Sequence, residues 1–357
     1  MSRYNQIMLA RALLDLRRDR WWLLLLCSLL LPAFHSQIHC QIPAVVDLPG
    51  ERTAIRTMIL DGRVQPALDR IQRLRQQHSS DSGLALLEAE AFYAIGLLEQ
   101  AVEAFRGGLQ LDPEMKGKLF NLGRALQDLG RDREALQVFA SMQQRPETSL
   151  QTRGLFGAAL SHQNLGESLK AKKLYRQALA AEPDFDRARY RLALLILDDQ
   201  PQEALEMLDG VLARDPLHHG SAYNRALALR NLGRSIQARL AMQHYRSVLE
   251  GRARISQLKE RWSQSPTDLT LILELGRLHR QLGAISQALN WYARAGSLAP
   301  TDPRPAVESV RTLLSAGRRA EALELANSLR GTAAADAARA LIENNSTGNS
   351  TGKPDED

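Results

Sequence analysis

Residues 275–300 read LGRLHRQLGAISQALNWYARAGSLAP, and their spacing decides the fold. Counted from Ala288, Gly276 stands at −12, Gly283 at −5, Tyr292 at +4 and Pro300 at +12. Two helices joined by a glycine turn account for all four intervals. Gly283 supplies the left-handed backbone that ends one helix before a tight turn. Ala288 and Tyr292 lie one turn apart and share a face of the second helix. Gly276 and Ala288 are small residues on opposed helices, which lets the pair cross closely. Pro300 cannot extend the second helix and marks its end.

The same pattern recurs outward in both directions. Ala67, Ala101, Ala135, Ala171, Ala204, Ala238, Ala288 and Ala322 follow one another at intervals of 34, 34, 36, 33, 34, 50 and 34. Five residues before them stand Gly62, Gly96, Gly130, Gly166, Gly233, Gly283 and Gly317, with Asp199 as the exception. Four residues after them stand Ile71, Phe105, Phe139, Tyr175, Leu208, Met242 and Tyr292. A unit this short cannot bury its own apolar face, so it must stack on its neighbours. The pattern therefore predicts an all-α chain built as a repetitive surface.

These residues resemble the tetratricopeptide repeat. Leu275, Gly276, His279, Gly283, Ala288, Tyr292, Ala295 and Pro300 reproduce most of its signature, and Leu122, Gly123, Leu126, Gly130, Ala135 and Phe139 come close to it. The resemblance spans roughly residues 50–336 and implies a right-handed α-solenoid of about eight helix-turn-helix repeats. Residues 45–81 read as a degenerate first repeat, 82–250 and 269–336 as repeats, and 337–343 as the end of a capping helix. The polar stretch 344–357 has nothing apolar to bury and reads as a disordered tail. The longest interval, from Ala238 to Ala288, exceeds a regular repeat by about half a repeat, and Glu250, like Ser79, replaces the proline that other units have as Pro113, Pro183, Pro216 or Pro300. Ile255, Leu258 and Trp262 fall at helical spacing, so residues 251–268 read as an inserted amphipathic helix or as an extension of the preceding one.

The amino terminus is of another kind. Arg17, Arg18 and Arg20 precede a leucine-rich run from Trp21 to Phe34. This order fits a secretory signal peptide or an uncleaved signal-anchor within residues 1–44, and either places the repeats outside the cytoplasm. A bacterial periplasmic location is expected, with membrane contact only through residues 17–34 if they are retained. Both cysteines, Cys27 and Cys40, fall in this segment, so the repeats carry no thiol. The segment 1–44 also holds three of the six net positive charges. The remainder shows no basic run interleaved with aromatics, and nucleic acid is not the expected partner.

The sequence offers no catalytic, cofactor or metal constellation: no phosphate loop, no HExxH and no nucleophile elbow. His35 and His39 sit at the signal boundary. His218 and His219 fall in a turn without a carboxylate at ligand spacing and read as surface residues. His162 and His279 read as packed in a helix crossing. An enzyme is not predicted.

What remains is a binding face. In stacked helix pairs the first helices line the concave groove. Three residues before the small crossing residue stand Leu86, Phe120, Phe156, Tyr190, Tyr223, Leu273 and Val307, so four successive aromatics form a ladder that faces either groove or core. Beside them stand Asn121, Arg124, Arg153, Arg187, Arg191, Asn224, Arg230, Arg277 and Arg280. The resemblance implies that such asparagines clamp a peptide backbone and such arginines hold carboxylates. Arg187 and Arg191 fit the last repeat of the two-carboxylate clamp of chaperone-binding members, but Phe120 and Gly157 stand where its other partners belong. The expected protein is a scaffold that binds an extended or helical partner segment in envelope assembly or secretion. The alternatives are an accessory subunit of an envelope peptidase or glycosyltransferase, and a cytoplasm-facing membrane-tethered adaptor.

Overall fold

A computed structural model describes residues 47–144, 147–329 and 331–347, which form seventeen α-helices and a short 3-10 turn with no strand among them. The segment 1–44, with Cys27, Cys40, His35 and His39, lies outside the described residues, as does 348–357. Among the described residues no helix is long and apolar enough to cross a membrane. Contacts divide the chain into two units at Ile95–Gly96.

The first unit holds α1 (Leu48–Leu60), α2 (Val64–Gln77) and α3 (Ser82–Ala94). Ile55, Ala67, Ile71, Leu84 and Leu87 form its core. Asp81 starts α3 by accepting from the Leu84 N–H at 2.7 Å, one of the four donors a helix start leaves unpaired. Arg70 closes on Glu51 through two hydrogen bonds of 2.6 and 2.8 Å between α2 and α1.

The second unit begins with α4 (Leu98–Leu111) and continues as helical hairpins: α5 (Leu119–Asp128) with α6 (Asp132–Gln143), α7 (Thr148–Asn164) with α8 (Ser168–Ala181), and α9 (Asp186–Ile196) with α10 (Pro201–Arg214). Then come α11 (His219–Asn231) with α12 (Ser235–Gln264), α13 (Leu269–Gln281) with α14 (Ile285–Leu298), α15 (Arg304–Ser315) with α16 (Arg319–Ser328), and α17 (Ala333–Thr347). The final helix covers the last hairpin, with Ala338 and Ile342 packed among Val310, Leu313, Ala322 and Ala326. It runs to Thr347, past the boundary expected at residue 343, and the rest of the expected tail lies outside the described residues.

The repeat grammar is realised residue by residue. Seven of the turn glycines adopt φ between 73 and 78°, the conformation their position demands. At the exception, Asp199, α9 stops at Ile196 and Pro201 opens α10, where its missing N–H costs nothing. Seven of the eight periodic alanines are 0% exposed. The small residues opposite them are obligatory. A Cβ on Gly123 would lie 2.4 Å from the Phe139 ring and one on Gly157 2.3 Å, so Phe139 fills the space between α5, α6 and α7. Gly276 admits Tyr292 in the same way, at 2.3 Å.

The long interval between Ala238 and Ala288 resolves as one helix rather than two. With Glu250 in place of proline α12 runs on and reaches 30 residues against 14 in α8, α10 and α14. At 1.5 Å per residue it is about 45 Å long. Its far half carries Ile255 and Leu258, which pack with Leu271 and Leu275 of α13, and Gly251, whose missing Cβ admits Leu282.

Candidate partner-binding site

The first helices α7, α9 and α11 bring part of the expected face into one cavity. Its volume is about 420 Å³, and its walls are Phe156, Asp186, Arg187, Tyr190, Arg191, Val211, Asp215 and His218. Arg187 and Arg191 are four residues apart on α9 and so project from one side of the helix. Arg187 is exposed and Arg191 half-buried. Neither makes an ion pair or hydrogen bond among the described residues. Two acids share the wall: Asp186 accepts from Arg189 at 2.7 Å and from the Arg214 Nε at 2.9 Å, and Asp215 accepts from the Leu217 N–H at 3.1 Å. Two guanidinium groups without a direct ion-pair partner therefore border the cavity.

Tyr190 and His218 form the aromatic wall. Their rings meet edge to face at 4.7 Å. Gly220 makes room for the tyrosine, since a Cβ there would stand 2.5 Å from its hydroxyl. His218 caps α11, its Nδ1 accepting from the Ser221 N–H at 3.0 Å. Burial holds its pKa below the usual histidine value, against a smaller upward pull from Asp215. The ring is therefore the neutral acceptor that the cap needs. Rather than lying at the surface, as the sequence suggests, His218 is half-buried in this wall. Its position directly before a helix start was the available signal, because that is where an acceptor side chain is wanted.

The remaining expected contacts are dispersed. Phe120 and Phe156 are 5% and 7% exposed, so the ladder is closed at both. Phe120 packs on Phe139 at 6.0 Å under the Arg153 guanidinium, and Phe156 is covered by Tyr175 and by Phe185 at 5.1 Å. Both rings fill space between stacked units, which is why aromatic residues at helical spacing turn inward here. Tyr190 is half-buried, while Tyr223 is 40% exposed. Asn224 spends its amide on the Gly220 carbonyl at 2.8 Å. Arg277 and Arg280, expected to hold a partner's carboxylate, already face one: Glu308 of α15 meets Arg277 at 3.0 Å and Arg280 at 3.6 Å. Glu308 is only 7% exposed; Arg280 is half-buried beside it, while Arg277 stays exposed and reaches it from the surface. Arg124 and Arg230 are exposed and Asn121 is half-buried. His279 is buried, as expected, with its Nδ1 2.8 Å from the Leu275 carbonyl.

A family model described as Tetratricopeptide repeat matches residues 86–148, 156–200 and 198–247, in agreement with this architecture. Among solved structures, the crystal structure of PilW, a widely conserved type IV pilus biogenesis factor, is 19% identical over 54% of this chain and 88% of its own, with a TM-score of 0.48. A tetratricopeptide repeat protein from Parabacteroides merdae is 17% identical over 74% of this chain and 99% of its own, with a TM-score of 0.40. IFIT1, solved with Gppp-AAAA, is 14% identical over 66% of this chain and 68% of its own, also at 0.40. No curated protein matches the sequence.

Proposed function

We propose, from the premise that this chain is a tetratricopeptide-repeat protein, that it is a non-catalytic adaptor whose first-helix face takes an acidic segment of a partner protein. The observation that carries the reading is the pair Arg187 and Arg191, unpaired beside the Tyr190 and His218 rings in one cavity. A carboxylate entering there gains charge-assisted hydrogen bonds without displacing an internal partner. Apolar residues next to it gain ring surface. The arginine fork suits carboxylates, and the earlier arginines along the face extend the attraction.

The test is fluorescence anisotropy with a labelled extended peptide of mixed acidic and apolar residues, alongside the same peptide with lysine for each acid. The acidic peptide binds and weakens as salt rises, since attraction between exposed charges is screened within about 10 Å at 0.1 M. Hydrogen bonds to charged groups are worth about 1.5–3 kcal/mol each, so Arg187→Glu with Arg191→Glu lowers affinity on the order of 100-fold or more. Equal binding of both peptides, or no loss in the double variant, overturns the proposal.

The basic and apolar residues 17–34 support a second element of the proposal: the adaptor is exported, or anchored with its repeats outside the cytoplasm. Its setting would then be envelope assembly or secretion. A compartment-sensitive reporter fused after Asp357 is active outside the cytoplasm on this reading, and activity confined to the cytoplasm overturns it.

A further inference from the structure

One hairpin of the second unit is not closed like the others. Four residues after the periodic alanine, Phe105, Phe139, Tyr175, Leu208 and Tyr292 are each 0–1% exposed, whereas Met242 is only half-buried. Seven residues after it, Met142, Ala178, Val211 and Ala295 are 0–1% exposed, whereas Tyr245, like Leu329 of the last hairpin, is only half-buried. Ala238 is itself the one periodic alanine left outside the fully buried set. In other hairpins these positions meet the first helix of the next one: Phe139 and Met142 of α6 both touch α7, at Gly157 and Gly154. On α12 that covering helix is missing.

The cause is the helix extension. Gly251, Ile255 and Leu258 hold α13 on the far half of α12. Met242 and Gly251 are nine residues apart, as are Leu249 and Leu258. Nine residues turn a helix by about 180°, so α13 sits on the opposite side from Met242 and Leu249. The near half keeps its own stripe, Ala238, Met242, Tyr245 and Leu249, at the i, i+4, i+7, i+11 spacing of one apolar face. Leu249 is 39% exposed and stands where Asp112, Glu182 and Asp215 end other second helices. Tyr223 of α11, 40% exposed, packs against Tyr245 with the rings tilted and their centroids 5.2 Å apart, and widens the strip. Along one flank Arg239 and Arg246, seven residues apart, are exposed and unpaired among the described residues; Glu250 is the acid nearest them in sequence.

We propose that this strip seats an amphipathic α-helix of a partner protein, apolar toward Met242, Tyr245 and Leu249 and acidic toward Arg239 and Arg246. The shape of the occupant is set by what covers the same positions in the other hairpins, an apolar helix with small residues at the crossing. Its charge is set by the two unpaired arginines. The site is separate from the cavity at Arg187 and Arg191 and does not depend on it.

The experiment titrates the full-length chain with two labelled helical peptides that share one alanine and leucine stripe, one flanked by glutamate and the other by lysine. The glutamate peptide binds at least ten times more tightly. Arg239→Glu with Arg246→Glu, both exposed and tolerant of change, lowers its affinity at least tenfold, and Leu249→Asp lowers it without touching the arginines. Arg187→Glu with Arg191→Glu leaves it unchanged, which separates this site from the proposed groove. Equal affinity for the two peptides, insensitivity to the α12 variants, or loss in the Arg187 and Arg191 variant overturns the proposal. So does a stable dimer in sedimentation that Leu249→Asp dissociates, because a second copy would then occupy the strip.

Discussion

The hairpins α7–α8 and α11–α12 are written in the same grammar and end differently. Both have the turn glycine, the periodic alanine and an aromatic or bulky side chain one turn on. In α8 the stripe Ala171, Tyr175 and Ala178 is 0% exposed throughout; in α12 Ala238, Met242 and Tyr245 are all partly open. The residues of the stripe do not decide this. The deciding feature lies twelve residues beyond the alanine, where α8 is succeeded by Pro183 and α12 continues through Glu250. Where the second helix ends there the next helix lies on the stripe, and where α12 runs on the next helix packs beyond it; a proline is not required for the stop, since α2 ends at Gln77 with Ser79 at this position. Closure in a repeat array thus depends on the segment after a unit as much as on the unit itself.

The largest effect that tests this contrast comes from truncating the bulky side chain in each hairpin. Tyr175→Ala removes a fully buried ring and costs about 3–5 kcal/mol, whereas Met242→Ala, at a half-buried site, costs about 1–2 kcal/mol. Urea melts followed by circular dichroism measure both, and similar losses would break the comparison. Restoring the stop is next. Glu250→Pro breaks the ladder in the middle of α12 and costs about 3 kcal/mol. Amide exchange in that variant rises in the turn before residue 250, and an unperturbed helix would contradict the account.

The crossings are sharpened by Gly276→Ala. The substitution gains about 1 kcal/mol of helix propensity, but its Cβ would sit 2.3 Å from the Tyr292 ring, and overpacking costs about 1–3 kcal/mol. A net loss of stability is expected, and a stabilised variant would show the crossing to be looser than described.

The smallest effect is that of pH on α11. The pKa of His218 is depressed in the folded chain, so between its folded value and about 6.5 the unfolded state binds more protons. Stability from this group is therefore present above about pH 6.5 and is lost as pH falls through the folded pKa. Protonation also converts the Nδ1 acceptor into a donor and removes the Ser221 cap, worth about 1 kcal/mol. Nuclear magnetic resonance titration of the ring, with exchange at the Ser221 amide, measures both; a ring that titrates above 6.5 would contradict the assignment.

Much of the fold was legible because each recurring residue has a single physical task. A glycine at φ 77° and an alanine under a tyrosine leave few alternatives, and periodicity multiplies the signal. The candidate site was less legible. Arg187, Tyr190 and Arg191 share one cavity wall, a neighbourhood that four-residue spacing on α9 makes readable as local information. Phe120 and Phe156 turn inward because a ring that stacks between units looks the same in sequence as one that lines a groove. Arg277 and Arg280 are taken up by Glu308 on the next hairpin, which no local spacing reveals. The open strip on α12 was hidden for the opposite reason: its residues keep to the pattern, and only the path of α13 exposes them.

That last point is measured most directly by thiol labelling at one repeat position in the two hairpins. Ala178→Cys and Tyr245→Cys both lie seven residues after the periodic alanine, in a chain with Cys27 and Cys40 replaced by serine. Under native conditions the cysteine at 245 reacts readily, while that at 178 reacts only through opening of the structure and is slower by on the order of 100-fold or more. Equal protection of the two positions would contradict the account.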